Sequence, residues 1–283
     1  MPELPEVEIT ARRLDAALRG AVVESALAPG LNALKTFDPP LAALDGRAVA
    51  GVRRCGKHLV VELEDGLALL LHLMSAGRLQ LFDARASLRD RTSRLLVRLT
   101  DGRELRLREF GTKQAAWVKL LRADAVEDDE AIATLGPEAW PDPPPLRELL
   151  AAEGARPLNA VLRDQRVIAG IGRSWVDEIL WTAMLSPFKR GDDLDDAEAD
   201  SLRDAVLERL GGAIEHYERV VELPIPDKLP MPLEVHRRQG EPCPRCGTTI
   251  AAVHYEDYVM CYCPRDQTGG RVLKDRRLSR LLK

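Results

Sequence analysis

The chain has 283 residues, of which 45% are hydrophobic and 30% charged, and its formal net charge is −4. This length exceeds one average domain, so we expect two domains of ordinary globular composition. No run approaches the roughly 18 apolar residues of a membrane span, and residues 1–6 are acidic and proline-bearing, unlike a secretory signal. Four of the five cysteines fall within residues 243–263, which favours a metal site in a reduced compartment over a disulfide framework. We therefore predict a cytoplasmic location and exclude the membrane and secreted classes.

Charges of opposite sign are segregated along the chain. Residues 47–113 hold 14 Lys/Arg against 8 Asp/Glu, and residues 271–283 hold six basic residues against one acid. The acids concentrate in residues 124–130, with five, and residues 192–204, with seven. A basic face would suit a polyanion partner, but ordinary solvated surface charge explains the pattern equally well.

The first half of the chain has a helical start followed by a strand-like texture. Apolar residues at helical spacing predict a helix over 6–18, with Gly20 as its stop. Short Val- and Leu-rich runs over 44–121, with turn signals at 64–66 and 100–102, predict an antiparallel sandwich or barrel of about six to eight strands.

The second half is separated from the first by a proline-rich block at 136–145, which can carry neither a helix nor a central strand. Beyond it a tight glycine turn at 170–172 joins two helices, which predicts a helix–turn–helix. The irregular loop 224–232 follows. The predicted helices cover 146–153, 157–164, 174–184 and 197–217. The predicted domains are 1–122 (sandwich), 123–145 (linker), 146–222 (helical), 223–240 (loop) and 241–283 (cysteine-bearing hairpin and basic tail).

The amino terminus carries one candidate nucleophile. Removal of Met1 would expose the secondary amine of Pro2, and a free α-amine with a pKa of about 7.7–8 is partly unprotonated near neutral pH. Such an amine can attack an aldehydic carbon and form an iminium, and Glu3 and Glu6 lie beside it for proton transfer. The alternative is that these residues only begin a helix.

Three other side chains are candidates for substrate contact. Lys57 enters an apolar strand from a glycine turn and can grip a phosphate or protonate a leaving group; the alternative is an ordinary solvated lysine. Met74 and Phe110 flank glycines, where an apolar side chain can wedge into a duplex and fill the gap left by an extruded base. The alternative is that both belong to the core.

The cysteine segment is the most specific single signal. Cys243 and Cys246 form a two-residue knuckle, and Cys263 follows after a stretch that suits a β-hairpin, which predicts a tetrahedral zinc site. The fourth ligand is ambiguous: the register slightly favours Asp266, whereas Cys261 would be the softer donor. Zinc is favoured over unrelated buried thiols.

Taken in order, these features resemble the formamidopyrimidine-DNA glycosylase and endonuclease VIII family of bifunctional base-excision repair enzymes, across essentially the full chain. The resemblance implies an α+β multidomain fold, with an N-terminal antiparallel β-sandwich and flanking helix, then a helix–two-turn–helix domain ending in a zinc-ribbon β-hairpin. The matching segments are residues 1–8 (MPELPEVE), Lys57, 77–78, 108–111, 135–137, 164–165, 170–172, 178–180, 240–243 and the cysteine hairpin.

The resemblance also implies a role for each matching residue. Pro2 would attack the sugar C1′ of an everted nucleotide, Glu3 would act as acid/base with support from Glu6, and Lys57 would contact phosphate. One structural zinc, no catalytic metal, a monomeric state and double-stranded DNA with a damaged base or abasic site as partner are implied too. The implied DNA contacts are Met74, Arg78, Arg108, Phe110, Asn159, Gly172, Arg173 and Tyr258, with the zinc held by Cys243, Cys246, Cys263 and Asp266.

The chain departs from the family pattern at informative positions. Arg173 stands where the family has a phosphate-binding asparagine, and Tyr258 where it has a phosphate-binding arginine. Glu109 places a negative charge between Arg108 and Phe110. These departures point to a divergent, endonuclease VIII-like member whose δ-elimination is in question. They leave open the alternative of a damaged-DNA or abasic-site binding protein with little or no catalysis.

Overall fold

The computed structural model describes residues 1–30, 32–87, 90–110 and 114–273. Gly111, the last residue of the matching segment 108–111, and residues 274–283 of the basic tail lie outside the described residues. Two compact units make up the chain: Met1–Thr134 with Ile214–Pro230, and Leu135–Ala213 with the residues from Met231 onward.

This division differs from the predicted domain boundaries. The predicted linker 123–145 is shared between the units, and residues 214–230 join the amino-terminal one. Lys119 Nζ lies 2.8 Å from Asp129 Oδ2, which ties the start of that linker to the preceding strand. Proline content marks where regular structure ends, but the packing of the flanking residues decides where a domain ends.

The amino-terminal unit contains one long helix and two four-stranded antiparallel sheets. The sheets have the strand orders β1-β6-β7-β5 and β2-β3-β4-β8. Alternating apolar residues from both sheets and from the helix form one hydrophobic core. The elements are α1 (Leu4–Leu18), β1 (Val23–Leu27), β2 (Val49–Cys55), β3 (His58–Leu63), β4 (Leu67–His72), β5 (Gly77–Phe82), β6 (Ser93–Leu99), β7 (Glu104–Glu109), β8 (Trp117–Arg122) and the short α2 (Glu130–Ala133).

The second unit is helical and ends in a two-stranded hairpin. Its elements are α3 (Leu146–Ala151), α4 (Leu158–Val161), α5 (Arg173–Thr182), the long α6 (Asp196–Val220), β9 (Ala251–His254), β10 (Val259–Tyr262) and α7 (Pro264–Thr268). The last residues of α6 belong to the amino-terminal unit. The predicted C-terminal hairpin is confirmed, with β9 and β10 pairing antiparallel.

The turn before α5 is held by one side chain. Gln165 Oε1 accepts the Gly170 N–H at 2.9 Å, and its Nε2 donates to the Ile171 carbonyl at 2.8 Å. Gly170 has a φ of +105°, a conformation that side chains disfavour. Gln165 thereby replaces the helical hydrogen bonds that a glycine turn cannot make, and α4 is shorter than the predicted helix over 157–164.

Within the described part of the chain, no helix is both long and apolar enough to cross a membrane.

Candidate active site

The amino terminus of α1 forms a buried pair of carboxylates next to Pro2. Pro2 is buried, and Glu3 and Glu6 are only 1% and 3% exposed. They form a reciprocal capping box: the Glu3 side chain accepts the Glu6 N–H, and Glu6 Oε2 accepts the Glu3 N–H at 2.9 Å. The helix start therefore fixes both carboxylates relative to the peptide that follows Pro2.

Tyr217 completes this cluster from far along the chain. Its hydroxyl donates to Glu6 Oε1 at 2.7 Å, and its side chain is fully buried. Burial and the charges of Glu6 and Glu3 raise the pKa of Tyr217 far above its usual range, so the phenol stays protonated. The sequence does not single out Tyr217, because a tyrosine on the apolar face of a helix is typical of an ordinary core residue.

Lys57 occupies the two-residue turn between β2 and β3, where Cys55 pairs with His58. Gly56 supplies the positive φ of +54° that the first position of such a turn needs. Lys57 is only 8% exposed, which argues against an ordinary solvated lysine.

Two neutral histidines lie beside this turn. His58 and His72 are paired residues of β3 and β4, and their ring centroids are 4.6 Å apart. Burial lowers the pKa of His58 to about 4, and burial together with the neighbouring His58 lowers that of His72 to about 3. His72 Nδ1 accepts the Met74 N–H at 3.0 Å, which fixes the left-handed φ of +49° at Met74.

Met74 and Phe110, the side chains predicted to wedge into a duplex, come together at one edge of the sheet. Phe110 N lies 3.4 Å from the carbonyl of Ala76, so the strand end carrying Phe110 lies against the turn that holds Met74. Arg108 stands over the Phe110 ring, with its Cζ 4.7 Å from the centroid. Arg78 is the cross-strand partner of Arg108.

Asp227, in the loop that follows α6, holds these cations. The Arg78 Nε donates to the Asp227 carbonyl at 2.7 Å, and Arg108 Nη1 lies 3.4 Å from Asp227 Oδ1. Gln80 Nε2 donates to the same carboxylate at 3.0 Å. No sequence pattern singles out Asp227, because its loop is irregular and the residues it contacts are remote in sequence.

The expectation that Glu109 sets a negative charge between the wedge residues is wrong. Glu109 is buried, and its Oε1 accepts the N–H groups of Ala115 and Ala116 at 2.7 and 2.9 Å. Successive side chains of a strand point to opposite faces, so Glu109 lies on the face away from Arg108 and Phe110.

In the second unit, Tyr258 is surrounded by cations. The guanidinium carbons of Arg163 and Arg173 lie 4.4 and 4.8 Å from its ring centroid, and Arg163 Nη2 donates to its hydroxyl at 2.9 Å. The Tyr255 ring stacks on the Tyr258 ring, with the two ring centroids 4.3 Å apart. Arg173 also pairs with Asp257 Oδ2 at 2.5 Å.

The other two predicted DNA contacts of this unit have different surroundings. Gly172 is the N-cap residue of α5, directly before Arg173. Asn159 is buried, and its side-chain Nδ2 has no hydrogen-bond partner among the described residues. A buried amide without a partner is costly, so Asn159 needs a ligand or solvent contact to be satisfied.

The four predicted metal ligands converge. Their donor atoms all lie within 4.8 Å of one another, with 3.4 Å between Cys246 Sγ and Cys263 Sγ and 3.5 Å between Cys243 Sγ and Asp266 Oδ2. Tetrahedral zinc with Zn–S bonds of about 2.3 Å needs donors roughly 3.8 Å apart, which this set matches. These residues can therefore hold a metal ion.

The geometry favours Asp266 over Cys261 as the fourth donor. Cys261 Sγ accepts the Arg237 N–H at 3.3 Å and lies 3.6 Å from Gln239 Oε1, outside the cluster. Trp181 Nε1 donates to Cys243 Sγ at 3.3 Å and orients that ligand.

Comparison with known proteins places these features in one family. The family model for the formamidopyrimidine-DNA glycosylase N-terminal domain matches residues 1–112, and the model for the H2TH domain of the same enzyme matches residues 135–223. The formamidopyrimidine-DNA glycosylase of Lactococcus lactis subsp. cremoris is 30% identical over 277 residues, covering 93% of this chain and 98% of the relative.

Solved structures agree. Crystal structures of the Lactococcus lactis Fpg with DNA containing N7-benzyl-Fapy-dG and with DNA containing an abasic site both superpose with a TM-score of 0.84 at 27% identity. They cover 94% of this chain and 100% and 99% of theirs. The chain therefore belongs to the formamidopyrimidine-DNA glycosylase family, a family of DNA-repair glycosylases.

Proposed function

We propose that this chain excises a damaged, oxidised base from double-stranded DNA and then cleaves the strand at the resulting abasic site. The observation that carries the proposal is the buried Glu3–Glu6 capping box beside Pro2. A helix start needs no such burial of two carboxylates, since exposed Asp or Glu residues serve a helix N-terminus as well. The DNA-bound relatives support the same kind of substrate.

The chemistry begins at the amine of Pro2 once Met1 has been removed. The nitrogen lone pair attacks C1′ of the nucleotide, the C1′–N bond to the base breaks, and the base leaves with a proton. Opening of the sugar ring, with Glu3 as proton donor to the ring oxygen, gives an iminium between Pro2 and C1′.

The iminium then drives strand cleavage. It withdraws electrons from C1′, so a proton acceptor can remove the C2′ proton. The C3′–O bond to phosphate then breaks, which is β-elimination. A second elimination at C5′ would follow by the same logic. Hydrolysis of the imine returns the Pro2 amine.

Side chains away from the reacting atoms hold the substrate. Lys57 would contact the phosphate next to the lesion, and Arg173 and Tyr258 would contact the backbone from the second unit. Met74, Arg108 and Phe110 would fill the space of the everted nucleotide. The turn fixed at Met74 and the cation stacked on Phe110 give these side chains a preset arrangement.

Zinc is the metal that suits the Cys243, Cys246, Cys263 and Asp266 donor set, because three thiolates and one carboxylate favour a soft-to-borderline ion in a closed tetrahedral site. When bound, it would supply folding free energy to the hairpin and no chemistry to the reaction.

Borohydride trapping on a duplex with one abasic site tests the proposal. The wild-type protein should give a covalent protein–DNA adduct that disappears in Pro2→Gly. Pro5→Gly is the matched control, because it changes the other proline of the first turn and leaves the amine intact. Retained binding with no adduct would support the alternative, a damaged-DNA binding protein without catalysis.

A further inference from the structure

The Tyr217 hydroxyl is a buried group that the proposed reaction does not use. Tyrosine can be buried when its hydroxyl finds a partner, and here the partner is the carboxylate of Glu6, at 2.7 Å. A hydrogen bond to an ionised group is stronger than one between neutral groups. Tyr217 comes from α6, whereas Glu6 comes from α1, so the contact joins two helices of the amino-terminal unit.

Glu6 has both carboxylate oxygens engaged. Oε1 accepts from Tyr217, and Oε2 accepts the N–H of Glu3, the amide that directly follows the Pro2 carbonyl. Removing the Tyr217 hydroxyl would take one hydrogen bond from Oε1 while Oε2 stays in the capping box. The orientation of Glu6 at the chain start thus depends on a residue 211 positions away.

We infer that Tyr217 is a positioning residue for the reaction at Pro2: its hydroxyl holds the Glu6 carboxylate in its orientation beside Glu3. The inference rests on the proposed function. In this role Tyr217 acts through Glu6 and not on the reacting atoms themselves.

The surrounding charges are consistent with this role. Burial, Glu6 and Glu3 all raise the pKa of Tyr217 far above its usual range, so the phenol remains a donor. On the sheet side, Glu6 faces Arg78, whose own pKa is lowered by burial against the opposing effects of Asp227 and Glu6. Glu6 therefore lies between one protonated donor and one buried cation.

The test compares imine formation in Tyr217→Phe and wild type across pH, under single-turnover borohydride trapping on abasic-site DNA. The phenylalanine keeps the ring and its packing and removes only the hydroxyl. A hydrogen bond from a neutral donor stabilises the ionised form of a carboxylate over its protonated form. The ratio of wild-type to variant rate should therefore rise by up to about tenfold toward acid pH and return to near one at alkaline pH. Taking the ratio cancels the titration of the Pro2 amine, which both proteins share.

Thr10→Val is the matched control. Thr10 Oγ1 is also buried and bonds to Glu6, but it donates to the Glu6 main-chain carbonyl at 2.8 Å and not to the carboxylate. The ratio of the wild-type rate to the Thr10→Val rate should not change with pH. A pH-independent ratio for Tyr217→Phe would overturn the inference while leaving the proposed function intact. Absence of any adduct with the wild type would remove the proposed function itself.

Discussion

The amino-terminal carboxylate cluster and the carboxy-terminal cysteine cluster are built on opposite principles. Around Pro2, two buried acids are held by a capping box and a tyrosine hydroxyl. In the second unit, three thiols and Asp266 bring their donor atoms together, and the ligand atoms are contacted by Trp181, Arg245 and Thr248. We propose that the first arrangement moves protons and that the second holds a cation. We therefore expect chemistry and scaffolding to be separable by substitution.

Among these substitutions, Glu3→Gln in the amino-terminal cluster should have the largest effect on activity. Glutamine can still accept the Glu6 N–H, so the helix start survives while the acid/base group is lost. We expect base excision to fall by about 10²–10⁴-fold, with DNA binding nearly unchanged, as measured by single-turnover cleavage and by fluorescence anisotropy. Glu8→Gln, in the same helix and paired with Arg12 and Arg54, should keep full activity.

Cys243→Ser should produce the reverse pattern. Loss of one ligand should release the metal and loosen the hairpin, because metal binding and folding of such a site are coupled. We expect no bound zinc by atomic absorption and DNA binding weakened by about tenfold or more, with imine formation on a short abasic oligonucleotide retained. Cys261→Ser is the control, since its sulfur lies outside the cluster, and it should keep its zinc. Loss of imine formation in Cys243→Ser would show that the two clusters are not separable.

Arg173→Gln should have a moderate effect that depends on salt. DNA binding should weaken as salt rises, despite the net charge of −4, because each phosphate contact releases counterions. Removing one phosphate contact should lower the slope of log K against log salt by about one. Arg122→Gln should leave the slope unchanged, since Arg122 is an exposed arginine paired with Asp124 on a surface strand. A DNA-binding constant of the wild-type protein that did not change with salt concentration would contradict a DNA-binding function.

The smallest effect concerns stability against acid. His58 and His72 have folded-state pKa values near 4 and 3, below the value of about 6.5 in an unfolded chain. Between these limits the unfolded chain binds more protons, so the free energy of unfolding falls as the pH drops from about 6.5 toward 4, by at most about 1.4 kcal/mol per histidine per pH unit. The double variant His58→Asn/His72→Asn should flatten this dependence in urea unfolding measured at pH 7, 5.5 and 4.5. An equally steep decline in the variant would assign the effect to other groups.

Local patterns predicted the elements well, and remote contacts explain what they missed. The α1 helix, the turns at 64–66 and 100–102 and the C-terminal hairpin follow from spacing and turn chemistry between near neighbours. The convergence of the cysteines also follows from short-range spacing, and the same register favours Asp266, whose carboxylate lies with them.

Tyr217 and Asp227 could not be found in this way. Each acts on a residue more than 100 positions earlier, at Glu6 and at Arg78 and Arg108. The prediction that Glu109 places a charge between Arg108 and Phe110 was wrong for a different reason. Strand alternation turns Glu109 inward, and the register of its strand is known only once the sheet is known.

Peptide mapping of the trapped adduct tests the central claim most directly. The wild-type protein would be reduced with borohydride on abasic-site DNA, digested with a protease, and the DNA-bearing peptide sequenced by mass spectrometry. The account predicts one modified peptide that begins at Pro2, without Met1, and carries the deoxyribose on its terminal nitrogen. A deoxyribose attached to Lys57 or any other lysine, or a mature protein that retains Met1 and still cleaves DNA, would contradict it.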